Sequence, residues 1–283
     1  MDRRKIKELE KTAYELRLDT IHMGPRSGNV PHLGPALSCA DFVTALYFNF
    51  MHVDPKNPHW EDRDRFVISK GHACLIVYAA LARLGFFPTE ELWKVKQCNA
   101  MLQGHPDMKK IPGIDATSGS LGNGLSFALG IALALRYEKK KSHVYCVLGD
   151  GDSQEGMIWE AAMLAGARHV DNLTAILDYN HLQGSGAVDQ ILPMEPMADK
   201  WKSFGWHVLE MNGHSMEDIC NKIDMARRFP GQPTIIIAHT TKGKGVSFME
   251  NNNAWHARAM TDAEYAQAVD ELQKRIHEIE QES

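Results

Sequence analysis

Two apolar runs, each closed by a short polar turn, constrain this chain most; both lie within His143–Gly184. Val144–Leu148 ends in Gly149-Asp150-Gly151, and Leu173–Leu177 ends in Asp178-Tyr179-Asn180, with a helical pattern between them. The order reads strand, acidic turn, helix, strand, amide turn. Parallel strands joined by a right-handed crossover place both turns on the carboxyl edge of one sheet. Asp150 and Asn180 are therefore expected to face one crevice. A carboxylate oxygen, an amide oxygen and a nearby backbone carbonyl make half of an octahedral, all-oxygen site, which suits Mg²⁺ and leaves room for phosphate oxygens and water. Gly149 and Gly151 let the backbone come close to a phosphate.

The rest of the chain sets the frame. Its 283 residues are 44% hydrophobic, enough for a sizeable core. No Pro-, Ser- or Gly-rich linker and no repeat interrupts the pattern, so one domain over 1–283 is expected. Alternating strands and helices imply an α/β fold with a mainly parallel sheet. A net charge of −5 with interspersed signs gives no argument for nucleic acid or membrane binding. No apolar run is long enough to span a bilayer. The first residues are charged and helical, without an apolar signal core. Five scattered cysteines without a Cys-x-x-Cys pair read as buried, reduced thiols, so a cytoplasmic location is expected. The histidines form no His-x-x-x-His pair and join no cysteine cluster, which argues against zinc.

In chain order, Ile6–Ile21 has helical apolar spacing and is expected to end at Gly24-Pro25. Ser27–Ser38 is a stiff Gly/Pro loop holding His32, with Ser38 as N-cap of a helix over Cys39–Met51. Phe66–Ser69 is a short strand, and His72 opens a helix to Leu84, where free N–H groups favour anions. Pro88–Gln97 is a short helix with Thr89 as cap. Thr117–Leu125 is a glycine turn leading into a helix over Leu125–Tyr137, a backbone clamp for an anion or polar ring. Met157–Ala167 is a helix with small residues on one face. Trp206–Met211 and Thr234–His239 read as strands, the second covered on both faces. Ser215 caps a helix over Ser215–Arg228, and Thr261-x-x-Glu264 is a capping box for a terminal helix. Thr240–Gly245, TTKGKG, lacks the Walker spacing, and Gly149-x-Gly151 is followed by Gln154 where a nicotinamide fingerprint needs glycine. Lys242 and Lys244 are read as tuning the field near an anion.

Gly149-Asp150-Gly151 followed some thirty residues on by Asn180 resembles the thiamine diphosphate fingerprint. The flanking segments resemble transketolases: His32 with Gly34, Leu37 and Ser38; Arg63–Ala73 (RDRFVISKGHA); Gly104-His105-Pro106; Gly119-Ser120-Leu121; TTKGKG; and Trp255-His256. That resemblance implies a three-layer fold, with the sheet flanked by helices on both faces. It implies cofactor contacts from His72, Gly119, Ser120, Leu121, Asp150, Gly151, Asn180 and His256. A metal, Mg²⁺ or another divalent cation such as Ca²⁺ or Mn²⁺, would lie on Asp150, Asn180 and the Leu182 carbonyl. His32, His72, His105 and His256 would face the reaction, with imidazoles suited to moving protons at neutral pH. Glu155 would be a structural or relay acid between two sites. The implied reaction moves a two-carbon ketol unit from a ketose, often phosphorylated, to an aldose.

In full-length relatives a second domain supplies a glutamate for the aminopyrimidine and arginines for substrate phosphate. Residues 1–283 hold no such domain. The resemblance therefore implies the N-terminal subunit of a split transketolase, paired with a C-terminal, pyrimidine-binding subunit in an α2β2 assembly. Ser120, where full-length enzymes have proline, points the same way. Two alternatives stand beside it. One is a subunit of another thiamine diphosphate enzyme, of the 2-oxo acid dehydrogenase α or deoxyxylulose-phosphate synthase type. The other is a non-catalytic cofactor-binding subunit.

Overall fold

The computed structural model describes residues 2–26 and 30–282. The first residues of the Ser27–Ser38 loop, Ser27, Gly28 and Asn29, lie outside them. Helix α1 (Arg3–Arg26) is followed by α2 (Leu33–Ser38) and α3 (Ala40–Ala45), which runs on into a π-helical turn, Leu46–Phe50. Strand β1 (Arg65–Ile68) passes through a 3-10 turn, Gly71–Ala73, into α4 (Cys74–Leu84). Next come α5 (Asn123–Tyr137), β2 (Val144–Gly149), α6 (Gly156–Ala167) and β3 (Leu173–Tyr179). A small hairpin, β4 (Leu182–Gln183) and β5 (Gly186–Ala187), precedes α7 (Val188–Ile191) and α8 (Met197–Ser203). Strand β6 (His207–Asn212), α9 (Met216–Arg228), β7 (Thr234–His239) and α10 (Asp262–Gln281) follow.

The main sheet has the order β1-β2-β3-β7-β6, and every pairing in it is parallel. All six residues of β2 and all seven of β3 are buried. They nevertheless divide by parity, as the pleat requires. Tyr145, Val147 and Ile176 join one core; Val144, Cys146, Leu148, Ala175 and Leu177 join the other. Residues of α1, α3, α4, α9 and α10 fill the first core, and residues of α5, α6 and α8 fill the second. The molecule is thus helix, sheet, helix, the expected three layers. Among the described residues, no helix is long and apolar enough to cross a membrane.

The small face of α6 is explained by its neighbour. A Cβ at Gly166 would sit 1.7 Å from the Phe204 carbonyl oxygen, so the chain after α8 lies directly on the helix backbone there.

Local signals placed most elements, and tertiary contact moved some of their ends. Helix α1 runs past Gly24 and keeps Pro25 in its last turn, where the ring's missing N–H deprives the Ile21 carbonyl of its i+4 donor just as the helix ends. Ser38 is not an N-cap: it ends α2, and its hydroxyl is committed elsewhere. The helix expected over Cys39–Met51 is α3 plus the π-helical turn. The segment after Pro88 is a 3-10 helix, Thr89–Lys94, with no side-chain cap from Thr89. Ser215 and the Thr261–Glu264 capping box are as read from sequence. Four of the cysteines are buried as expected, but Cys98 is exposed, in the turns after the Thr89–Lys94 segment.

Candidate functional site

Every strand of the main sheet is parallel, so the ends of β1, β2, β3 and β7 meet at one edge, and a cavity of about 300 Å³ opens there. Its floor is a buried ion pair. Asp178, the sixth residue of β3, is fully buried and accepts from Lys70, from the hydroxyls of Ser38 and Thr240, and from Asn180 Nδ2 at 3.1 Å. Lys70, just past β1, also donates to the Pro35 carbonyl at 2.9 Å. Burial alone would lower the Lys70 pKa, but the Asp178 carboxylate reverses this and holds it up. One carboxylate therefore ties α2 to the ends of three strands. The sequence alone puts Asp178 in a turn and Ser38 at a cap, and gives Lys70 no partner. No local signal pairs residues more than a hundred positions apart.

Asp150 stands next to this floor. Its Oδ2 accepts the Asn180 N–H at 3.0 Å, while its buried Oδ1 has no hydrogen-bond partner among the described residues. Burial and the Asp178 charge push its carboxyl up to about 8. Asn180 Oδ1 accepts the Leu182 N–H at 3.0 Å, folding the chain after β3 back on itself. The Leu182 carbonyl lies 3.5 Å from Lys242 Nζ. Asp150, Asn180 and Leu182 all line the cavity. Among the described residues, no three His, Cys, Asp or Glu side chains converge as a metal site. The three oxygen donors here are of a different kind: one carboxylate, one amide and one backbone carbonyl. An orphaned buried carboxylate oxygen beside two neutral oxygens suits a hard divalent cation, which would favour the ionised acid. Asp152 repeats part of the pattern: its Oδ1 accepts the Gly122 N–H at 2.6 Å, and its Oδ2 has no hydrogen-bond partner among the described residues.

The four histidines read from separate motifs come together across the cavity. His32, at the N-cap of α2, lies 5.3 Å from His72, 6.4 Å from His105 and 5.6 Å from His256, ring centre to ring centre. His72 and His256 are 5.0 Å apart. Burial drives His32 and His256 down to about 4 and His72 to about 2, aided by the lysines and the neighbouring rings; His105 is lowered by burial and by Lys96. With their pKa values lowered, these imidazoles are neutral at pH 7, where an ordinary histidine is still about a quarter charged.

Lys242 is the residue the sequence undervalued. It is 1% exposed and reaches into the cavity. It donates to Asn253 Oδ1 at 2.8 Å and hydrogen-bonds His256 Nδ1 at 3.0 Å. An ammonium has no lone pair to offer, so Nδ1 accepts and the ring proton sits on Nε2. Burial, with help from Lys70, lowers Lys242 to about 8. Lys244 instead pairs with Glu250 at 3.1 Å, outside the cavity.

Gly119, Leu121 and Gly151 form part of the wall. Ser120, between the first two, is exposed and outside it. Glu155 is exposed as well, its stem packed on Gly122 in the turn before α5.

Residues 7–278 match the family described as transketolase, thiamine diphosphate binding domain. The chain is 46% identical over 267 residues to the 6-deoxy-6-sulfo-D-fructose transketolase subunit SqwG of Clostridium sp. (strain MSTE9), covering 94% of this chain and 97% of that one. It is 41% identical over 276 residues to an apulose-4-phosphate transketolase subunit of Phocaeicola vulgatus, covering 98% and 97%. The solved transketolase of Leishmania mexicana superposes with a TM-score of 0.86 at 26% identity, over 97% of this chain and 45% of that one. The chain thus spans under half of such a full-length enzyme.

Proposed function

Since this chain belongs to the transketolase family, through its thiamine diphosphate-binding domain, we propose that it is the diphosphate-holding subunit of a two-chain transketolase. The orphaned Oδ1 of Asp150, beside the Asn180 amide and the Leu182 carbonyl, is the observation that carries the reading. Asp150, Asn180 and Leu182 would hold Mg²⁺, or Ca²⁺ or Mn²⁺ in its place. Gly151, Gly119, Ser120 and Leu121 would present backbone to the cofactor, and His72 and Lys242 would donate toward its diphosphate. When bound, thiamine diphosphate supplies the electron sink that lets a carbon–carbon bond beside a carbonyl break and re-form.

The remaining work falls to the imidazoles. His32, His105 and His256 are neutral, so each can give a hydrogen bond with one nitrogen and accept with the other. That suits sugar hydroxyls and the movement of a proton to or from them. His256, anchored at Nδ1 by Lys242, offers its proton at Nε2. An anion entering the cavity offsets the lysine charges that help depress these rings, bringing their pKa values back toward the working range.

The activity proposed is transfer of a two-carbon ketol unit from a ketose, or ketose phosphate, to an aldose, in the cytoplasm. The two subunit-type relatives are named for a sulfonated and a phosphorylated sugar. We take a donor with an anionic tail as the substrate class here. A C-terminal-type, pyrimidine-binding subunit completes the site, and the assembly is α2β2. Glu155, exposed beside the turn before α5, would serve as a structural or relay acid.

Calorimetry of thiamine diphosphate with and without Mg²⁺ tests the site. Asp150→Ala should abolish Mg²⁺-dependent binding while leaving the thermal midpoint within a few degrees. Binding that is unchanged in this variant refutes the assignment. A ketol-transfer assay with the complementary subunit tests the reaction, and decarboxylation of a 2-oxo acid instead would favour the dehydrogenase-type alternative.

A further inference from the structure

The loop after β7, which carries Lys242, is gripped from below by residues that do not line the cavity. The turn Asn212-Gly213-His214 at the end of β6 packs straight against it. Gly213 N–H donates to the His239 carbonyl at 2.9 Å, and a Cβ there would meet Thr240 Cγ2 at 2.3 Å, so only glycine lets the two turns touch. His214 is thereby brought under the loop. Its Nε2 accepts the Thr241 N–H at 2.7 Å, which requires that nitrogen to be unprotonated. The ring proton therefore sits on Nδ1, donated to Asp41 Oδ2 at 2.7 Å. Asp41, buried in α3, also takes two hydrogen bonds from Arg17, at 2.8 and 2.6 Å. Arg17 Nε reaches the far side of the same loop and donates to the Lys244 carbonyl at 3.0 Å. One buried carboxylate thus organises two side chains that hold the loop on either side of Lys242.

We propose that His214, oriented by Asp41, is a positioning residue that sets where the Lys242 ammonium stands in the cavity. Lysine is a point charge on a flexible stem, so its placement depends on how well its backbone is fixed. Outer groups that lock such a backbone set the precision of the site. The role assigned to Lys242 rests on the thiamine diphosphate reading above; the positioning of its side chain does not.

The test therefore has two arms. In the first, the full chain is treated with an amine-reactive ester and modification of each lysine is followed by mass spectrometry. Lys242, 1% exposed, should react slowly. In His214→Ala it should react about tenfold faster or more, as expected when burial depends on a lost hydrogen bond, while exposed Lys202 keeps its rate. His214→Gln can present an acceptor to Thr241 and a donor to Asp41, and should restore protection. An unchanged Lys242 rate in a folded His214→Ala chain overturns the proposal. If that variant does not fold, hydrogen exchange at the Thr241 amide of the unmodified chain decides: protection supports the proposal and rapid exchange overturns it.

In the second arm, thiamine diphosphate affinity is measured with Mg²⁺. His214→Ala should weaken it about tenfold, and Lys242→Met should add little on top, because both remove one unit. Where both single substitutions weaken binding, full additivity of the two losses overturns the proposal. Faster labelling with unchanged cofactor affinity upholds the positioning and refutes instead the cofactor-facing role of Lys242.

Discussion

Replacing Asp178 by alanine should cost about 3–5 kcal/mol, the range for breaking one side of a buried ion pair. The structure says why the loss should be at least this large. Asp178 accepts from four side chains in the floor of the cavity, Ser38 and Lys70 buried and Asn180 and Thr240 half-buried. Its removal takes the compensating charge from the buried Lys70 ammonium, which keeps the neutral Pro35 carbonyl, and leaves the Ser38 and Thr240 hydroxyls without this acceptor. Against a typical total of about 5–15 kcal/mol, that is a large share. Asp178→Asn returns an acceptor oxygen but not the charge, so it should fall between. The double variant Lys70→Met/Asp178→Leu removes both charges and fills the space, and should be more stable than either single change. Urea unfolding read by circular dichroism gives the numbers, provided the slope m is unchanged. A cost under about 1 kcal/mol for Asp178→Ala, or a double variant that loses the sum of the singles, would show that the pair is not what holds the strand ends together.

Two further outcomes follow from the same contacts. His32, His72 and His256 are depressed to about 4, 2 and 4, so between about pH 4 and 6.5 the unfolded chain binds more protons at these positions than the folded one. Stability of the ligand-free chain should therefore rise with pH across that window. Asp150, raised to about 8, acts in the opposite sense: folded, it keeps a proton that the unfolded chain has released above pH ~4, so its contribution falls as pH rises toward 8. A stability maximum near pH 6.5, whose alkaline side flattens in Asp150→Asn, is the expected profile; a maximum that does not respond to that substitution contradicts it. Gly166→Ala should destabilise by about 2 kcal/mol or more, because its Cβ would fall 1.7 Å from a backbone carbonyl that cannot rotate away. A neutral urea midpoint for this variant would mean that the α6–Phe204 contact is looser than it stands here.

The strand–turn–helix order, the caps at Ser215 and Thr261, and the convergence of Asp150 with Asn180 were all legible in the sequence. Each is written in short-range signals: a run of apolar residues, a glycine pair, a hydroxyl before a helix. The parallel topology then follows from handedness, and it carries both turns to one edge. The histidines were legible for another reason, because each lay inside a motif of a family whose fold brings those motifs together. What only the tertiary structure decided is the state of these groups. Whether Ser38 caps a helix or binds Asp178, whether Lys242 faces solvent or His256, and whether an imidazole is neutral at pH 7 all depend on burial and on partners far along the chain. Those partners act through space, at distances below 4 Å in the cases described, where sequence separation has no meaning. A chain can state which residues arrive at an edge; dielectric and contact at that edge determine what each can do there.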